Sequence, residues 1–255
     1  MTGLPALVDP LAGMAWAALL VFLRVAAAMF AIPGLGEQVI SVRVRLVLVL
    51  MLTAIVAPGA PFLDTLPPFR RELFFLGLAT ETLSGLFLGL VLRFFIMAIQ
   101  TAGSIAAQST SLAQLMGQSG LDPLPAVGHI LTTAALALLM STGFHVKAAA
   151  FFVQTYQILP VLSFPNPADI AEAGRQRVSE SFALAFSLAA PFVTLSVIYN
   201  LTLGVINKAM PQLMVAFVGA PVISFGAIAM LLVSAPVMLS AWLTAFERFL
   251  AVPFR

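Results

Sequence analysis

The sequence predicts an all-α, integral membrane-type protein built from kinked helical hairpins. Of its 255 residues, 61% are hydrophobic and 9% are charged, whereas a soluble domain has roughly 25% charged residues. Residues 182–246 contain one charged side chain, Lys208, in a short polar break between two apolar stretches. Stretches of about 18 or more apolar residues are typical of membrane-spanning helices. Charge is scarce along the whole chain, which indicates one membrane unit and not a soluble domain with an anchor.

The composition also excludes several classes of protein. A net charge of +2 is too small and too dispersed for a nucleic-acid footprint, so we expect no nucleic-acid partner. The absence of cysteine excludes disulfides, thiol catalysis and zinc–cysteine sites. The N-terminus lacks a basic segment, so we expect the apolar run 11–33 to be retained as a first helix and not cleaved as a signal peptide.

Six apolar segments of uneven length predict the helices. They cover residues 11–33, 44–57, 73–99, 127–164, 182–206 and 212–246. The second is short for a span of about 20 residues. The last is long, and Pro221 and Pro236 are expected to kink or break it. Gly143 and Pro160 are expected to divide the fourth into two helices. Uneven lengths indicate helices that pack on other protein as much as on lipid.

The polar stretch 165–181 predicts an internal boundary. It contains Pro165, Pro167 and most of the local charge. Its charged residues are Asp169, Glu172, Arg175, Arg177 and Glu180. We expect Asn166 or Asp169 to cap a short amphipathic helix there.

One face of the third predicted helix carries small residues and a carboxylate at four-residue steps, namely Gly77, Glu81, Gly85 and Gly89. Glycines at this spacing let another backbone approach closely, so Glu81 would be buried between helices. A buried carboxylate needs a cation or hydrogen-bond donor, or it stays protonated. Arg24 and Arg93 are candidates, but Arg93 lies about 18 Å away along the same helix and cannot pair directly. We favour a structural polar lock over a proton or ion site, and we assign this face and Arg93 to helix packing and assembly.

No constellation in the sequence predicts catalysis, so we expect neither an enzyme nor a cofactor. His129 and His145 are far apart, and no HExxH spacing or acidic cluster accompanies them, so a metal site is not expected. Ser141 lies four residues before His145, but no orienting acid or oxyanion feature accompanies the pair. The chain has no P-loop and no GxGxxG fingerprint.

The segment Ser104–Pro125 reads SIAAQSTSLAQLMGQSGLDPLP. It is too polar for a lipid-facing helix and too poor in charge for an ordinary solvated loop. Non-helical backbone at membrane depth is tolerated where it lines a cavity or is buried in protein. Two interpretations remain open: a loop that lines or plugs a pore, and an ordinary Ser/Gly loop outside the membrane.

The stretch 204–231, GVINKAMPQLMVAFVGAPVISFGAIAML, closely resembles the C-terminal signature of the FliR/SctT/YscT family. This family supplies a subunit of the type III export gate, flagellar in FliR and virulence-type in SctT and YscT. Three further features agree with the family pattern: Glu81-xxx-Gly85-xxx-Gly89, Asp122-Pro123 after the polar segment, and Gly143-Phe144-His145 followed by Tyr156 and Pro160. Thr155, Met214 and Ile223 depart from it and blur the distinction between the two systems, of which we favour the flagellar one.

The resemblance implies an assembly subunit of the flagellar gate and not an enzyme. Members resemble a FliP-like part fused to a FliQ-like hairpin, here residues 1–170 and 171–255, packed in a helical hetero-oligomer. One such subunit closes a ring of FliP and FliQ copies, through which unfolded substrates leave the cell, with FlhB at the cytoplasmic entrance. The implied partners are FliP, FliQ and FlhB homologues, export substrates and membrane lipid. The implied location is the flagellar basal body in the bacterial inner membrane.

The resemblance also assigns roles to two sets of residues. The family's plug loop maps near residues 104–123, and the residues expected to close the resting pore are Gln108, Ser109, Leu112, Leu115, Met116 and Gly117. The residues expected at the tip of the FliQ-like hairpin, facing the cytoplasmic entrance, are Asn207, Lys208, Pro211 and Gln212.

The alternatives are a virulence-type gate subunit and, from a different class, a small secondary transporter. A transporter would use a midplane site on broken helices, which Glu81, Arg93 and the prolines could supply. The sequence shows no internal repeat, and its charges are sparse.

Overall fold

The computed structural model describes residues 3–37, 39–110, 126–210 and 215–254. These residues form α-helices and two 3₁₀ turns, Ala57–Gly59 and Leu63–Thr65, and contain no strand, which confirms the all-α class. The helices are α1 (Gly3–Met29), α2 (Val42–Val56), α3 (Arg71–Thr110), α4 (Ala126–Ser141), α5 (Phe144–Ile158), α6 (Pro167–Ala209) and α7 (Val215–Ala251). Among the described residues, five helices are long and apolar enough to cross a membrane, or six spans if the bent pair α4–α5 counts as one.

The predicted division of the fourth apolar segment is confirmed at Gly143. This residue separates α4 from α5 and has a φ of +75°. Glycine adopts this left-handed conformation readily because it has no Cβ. The amide of Gly143 donates to the carbonyl oxygen of Met140 at 3.2 Å, which closes the turn after α4.

Two predicted loop boundaries are wrong because the helices run further. Helix α3 continues to Thr110, so residues 104–110 are helical. The polar stretch 165–181 is not a separate short helix, since it forms the first turns of α6, a helix of 43 residues. The expected cap is present, because Asn166 Oδ1 accepts from the amide of Ala168 at 3.1 Å. Most residues from 168 to 180 are good helix formers. The charge of this stretch therefore indicates a change of solvent and not the end of a helix.

Of the kink or break predicted at Pro221 and Pro236, the break is wrong, because α7 includes both prolines in one helix of 37 residues. Proline removes one backbone donor, but neighbouring groups in membrane helices re-satisfy the freed carbonyl. Long apolar sequence on both sides lets the helix continue.

Contacts divide the chain into two units that alternate along the sequence. Unit 1 comprises Met1–Phe94, Leu139–Arg177 and Glu247–Arg255, and unit 2 comprises Phe95–Leu138 and Val178–Phe246. The division into residues 1–170 and 171–255, which rests on likeness to two other proteins, is of a different kind and stays a prediction.

Unit 1 is packed around α1, whose buried residues include Leu20, Val21 and Val25. Helix α2 contacts both α1 and α5. The Phe151 ring of α5 is buried, and its centroid lies 5.9 Å from that of Phe249 near the end of α7. Aromatic and branched side chains therefore supply the core of this unit.

Unit 2 contains a buried tryptophan that links two of its helical segments. Trp242 Nε1 donates to the carbonyl oxygen of Phe95 at 2.7 Å. The Trp242 ring stacks on Phe246 with a centroid distance of 5.6 Å. Trp16 of unit 1 is similarly buried, but its Nε1 has no hydrogen-bond partner among the described residues.

We therefore expect Trp242→Phe to destabilise the protein more than Trp16→Phe. Both changes remove similar ring volume, but Trp242→Phe also removes a buried hydrogen bond, which contributes about 1 kcal/mol. For a chain of this size the difference corresponds to about 2–4 °C in the midpoint of thermal unfolding. The measurement is thermal unfolding of the protein in detergent, and equal losses in both variants would contradict the prediction.

Candidate functional site

The glycine face of α3 lies against α1. A Cβ on Gly89 would lie 2.5 Å from the carbonyl oxygen of Ala28, and one on Gly85 would collide with the carbonyl oxygen of Arg24. Backbone atoms cannot move aside as the end of a side chain can. The two helices therefore approach so closely that only glycine fits at these two positions.

Glu81 lies on the same face and pairs with Arg24 of α1. Arg24 Nε donates to Glu81 Oε2 at 2.7 Å, and both side chains are fully buried. Arg24 Nη2 also donates to the carbonyl oxygen of Leu159 at 2.9 Å, and Glu81 Oε1 accepts from the amide of Leu162 at 3.1 Å. The ion pair therefore links α1, α3 and the segment that follows α5.

The surroundings of the pair support a structural lock. Both carboxylate oxygens of Glu81 are occupied, one by Arg24 and one by the amide of Leu162. Leu162 has a φ of +57°, a conformation that is unusual for leucine. The guanidinium carbon of Arg24 lies 3.8 Å from the centroid of the Tyr156 ring. A carboxylate with both oxygens engaged is poorly suited to bind an ion in transit.

Arg93 is engaged elsewhere, as its distance from Glu81 along α3 requires. Its Nη1 donates to Glu37 Oε1 at 2.5 Å, in the loop between α1 and α2. Both side chains are partly exposed. The role of Arg93 and of the glycine face in assembly with other subunits stays a prediction.

The structure describes two of the six predicted plug residues. Gln108 and Ser109 lie in the last turn of α3, where Ser109 Oγ donates to the carbonyl oxygen of Ala106 at 2.9 Å. The others lie outside the described residues, namely Leu112, Leu115, Met116 and Gly117.

The helices on either side of the plug residues meet in unit 2 at a pair of glycines. A Cβ on Gly103 of α3 would collide with the Cα of Gly128 of α4. Thr132 Oγ1 donates to the carbonyl oxygen of Gly128 at 2.7 Å, one turn further along α4. The described ends of the segment are therefore held together by direct backbone contact.

The structure likewise describes two of the four residues predicted at the hairpin tip. Asn207 and Lys208 are exposed in the last turn of α6. A lysine at this end of a helix interacts favourably with the helix dipole. Pro211 and Gln212 lie outside the described residues.

Sequence reasoning missed two polar contacts of unit 1. Lys147 Nζ pairs with Glu247 Oε1 at 2.5 Å, linking α5 to the last turns of α7. The guanidinium carbon of Arg177 lies 4.7 Å from the centroid of the Phe249 ring. The first pair joins residues 100 positions apart, and no spacing in a single sequence signals such a contact.

Comparison with known proteins identifies the family. Residues 15–249 match the family described as bacterial export proteins, family 1. The chain belongs to this family. It is 33% identical to the flagellar biosynthetic protein FliR of Caulobacter vibrioides, over 93% of this chain and 95% of that protein. It is 32% identical to the protein of the same name from Escherichia coli, over 78% of this chain and 76% of that protein. The resemblance to the FliR family drawn from the motifs is thereby confirmed.

Glu81→Leu should lower stability strongly, because it leaves the Arg24 charge buried without a partner. Breaking a buried pair costs about 3–5 kcal/mol, whereas replacing both members by apolar residues is often close to neutral. The double variant Arg24→Met/Glu81→Leu should therefore recover much of the loss. The measurements are yield in membranes and the midpoint of thermal unfolding. Normal yield of Glu81→Leu with lost export would instead favour an ion-conducting role.

Gly85→Ala should destabilise the protein because the added methyl group meets the backbone of α1. Overpacking of this kind costs about 1–3 kcal/mol, and Gly85→Leu should abolish the contact. Gly174→Ala is the matched control, because a Cβ on this helical glycine of α6 has no neighbour within 4 Å. That change should be neutral or stabilising by up to about 1 kcal/mol. Equal thermal midpoints for the two alanine variants would contradict the close approach.

Proposed function

We propose that this protein is a subunit of the flagellar type III protein export gate, through which unfolded flagellar proteins leave the cell. The observation that carries the proposal is the family match over residues 15–249 together with FliR relatives that align over most of the chain. These relatives are flagellar, which favours the flagellar system over a virulence system.

The proposed neighbours are FliP and FliQ homologues, with a FlhB homologue at the cytoplasmic entrance, in the basal body of the inner membrane. Exposed apolar surface on unit 2 supports such neighbours. In the most apolar windows of α6 and α7, 28% and 22% of the residues are buried inside the chain. Large exposed side chains on these helices include Phe182, Phe186, Leu201, Phe225, Ile228 and Leu232. Lipid or other subunits must cover them.

The proposed plug begins at Gln108 and Ser109 and continues through Met116 and Gly117. The contact between Gly103 and Gly128 supports this role, because it fixes the two helices from which the segment leaves and to which it returns. A segment held at both ends can close a pore without being free to leave it.

The first experiment is native mass spectrometry of the chain in detergent, expressed alone and with its FliP and FliQ homologues. A heteromeric complex holding one copy of this chain is the expected result. Since the chain exposes much apolar surface, we expect poor behaviour alone. A stable homo-oligomer that ignores both partners would reject the gate and favour a transporter.

Deleting residues 108–118 should leave assembly intact and make the assembled complex leak ions or small molecules. The measurement is ion conductance of the complex in a bilayer. Replacing residues 111–118 by Gly/Ser sequence of the same length is the matched variant, and it should leak as well if bulky side chains close the pore. Unchanged permeability in assembled complexes would remove the plug from the proposal.

A further inference from the structure

Two arginines contact Glu37 in the loop that joins α1 to α2, Arg93 through the side-chain carboxylate and Arg45 through the backbone carbonyl oxygen. Arg93 Nη1 donates to Glu37 Oε1 at 2.5 Å. Arg45 Nη2 donates to the backbone carbonyl oxygens of Gly36 and Glu37 at 3.2 and 3.0 Å. Arg93 is therefore paired with a carboxylate, whereas the partners of the Arg45 guanidinium group among the described residues are carbonyl oxygens without net charge. In addition, Arg45 Nε is buried and has no hydrogen-bond partner among the described residues.

Large apolar side chains lie beside Arg45 and are exposed. The centroid of the Phe30 ring lies 5.9 Å from the guanidinium carbon of Arg45, and Phe30 is 71% exposed. Val42 precedes Arg45 by three residues, so the two share a face of α2, and Val42 is 78% exposed. Exposed apolar groups next to a cation are typical of side chains that contact lipid while the charge stays at the headgroups.

The lengths of the two flanking helices place the loop at one face of a membrane if both helices cross it. The loop joins the ends of two candidate spans, Leu11–Met29 and Val42–Gly59. Phospholipid headgroups border the hydrocarbon core at this depth. The planar guanidinium group binds phosphate through two parallel donors, and basic pockets between membrane helices bind anionic headgroups.

We propose that Arg45 and Arg93 bind the phosphate of an anionic phospholipid, with Phe30 and Val42 against its acyl chains. Glu37 holds the two arginines in place and competes with the phosphate for Arg93. The site does not depend on the export function, because it uses charge and apolar contacts at the membrane surface alone.

The test is native mass spectrometry of the protein purified from membranes with its co-purifying subunits, titrated with phosphatidylglycerol. Phosphatidylcholine is the zwitterionic control lipid. Arg45→Gln and Arg93→Gln should each weaken retention of phosphatidylglycerol about ten-fold, the factor expected for the loss of one hydrogen bond between charged groups. Arg43→Gln is the matched control, because it removes the same charge from the same turn of α2, while residues two positions apart do not share a face. Retention of phosphatidylglycerol by the Arg43→Gln variant should stay unchanged.

Glu37→Gln keeps the size of the side chain and removes the competing carboxylate. Retention of phosphatidylglycerol should rise about five-fold, because the variant removes one negative charge from the site. Unchanged retention of phosphatidylcholine by the same variant distinguishes this gain from non-specific lipid binding by a misfolded protein.

Three outcomes would overturn the proposal. An equal loss for Arg43→Gln would mean general attraction between anionic lipid and the basic residues of α2. Displacement of the lipid by millimolar inorganic phosphate would mean a site for free phosphate. Loss of a co-purifying subunit in Arg45→Gln, with lipid retention unchanged, would mean that a carboxylate of a partner protein binds there.

Discussion

The buried ion pair between Arg24 and Glu81 is the interaction on which unit 1 depends. Neither charge is exposed at all, and an unpaired charge at that depth would be very costly. Arg24 also places its backbone carbonyl oxygen against Gly85, one turn from Glu81 on α3. The same residue of α1 therefore supplies the cation for the carboxylate and the backbone surface for the glycine. Close packing and charge pairing at this contact require one another.

The sequence was sufficient to predict this contact in part. The four-residue spacing predicted that Glu81 and the glycines share one helix face. Because Arg93 lies too far from Glu81 along the same helix to pair with it, Arg24 remained as the candidate cation. The third participant was not predictable, because the partners at 159 and 162 are backbone groups, whose hydrogen bonds leave no mark on residue type. The hydrogen bond from the amide of Leu162, a leucine in the left-handed backbone conformation, to the Glu81 carboxylate can be recognised only in the folded structure.

The errors in helix length have a common physical cause. Polarity predicted that the third helix ends at residue 99 and that the helix after the polar stretch begins at residue 182, and proline content predicted a kink or break at Pro221 and Pro236. In a membrane protein, polarity reports which solvent surrounds a segment, and a helix can cross from one solvent to the other. Helix α6 shows this, since its 43 residues extend about 64 Å, roughly twice the hydrocarbon thickness of about 30 Å. Its charged first turns therefore lie beyond the apolar part of the same helix.

The ion pairs of unit 1 differ in exposure, and the less exposed a pair is, the more it costs to leave one of its charges without a partner. Glu172 and Arg175 are 62% and 70% exposed, and a pair in water contributes little. Lys147 and Glu247 are less exposed, at 37% and 41%. Arg24 and Glu81 are not exposed at all, so removing one of them is strongly destabilising. Arg45 departs from this order, because part of its guanidinium group is buried while its partners are carbonyl oxygens, which carry no net charge. A cation in that position needs an anion from outside the chain, and the exposed apolar residues beside it indicate that the anion belongs to a lipid.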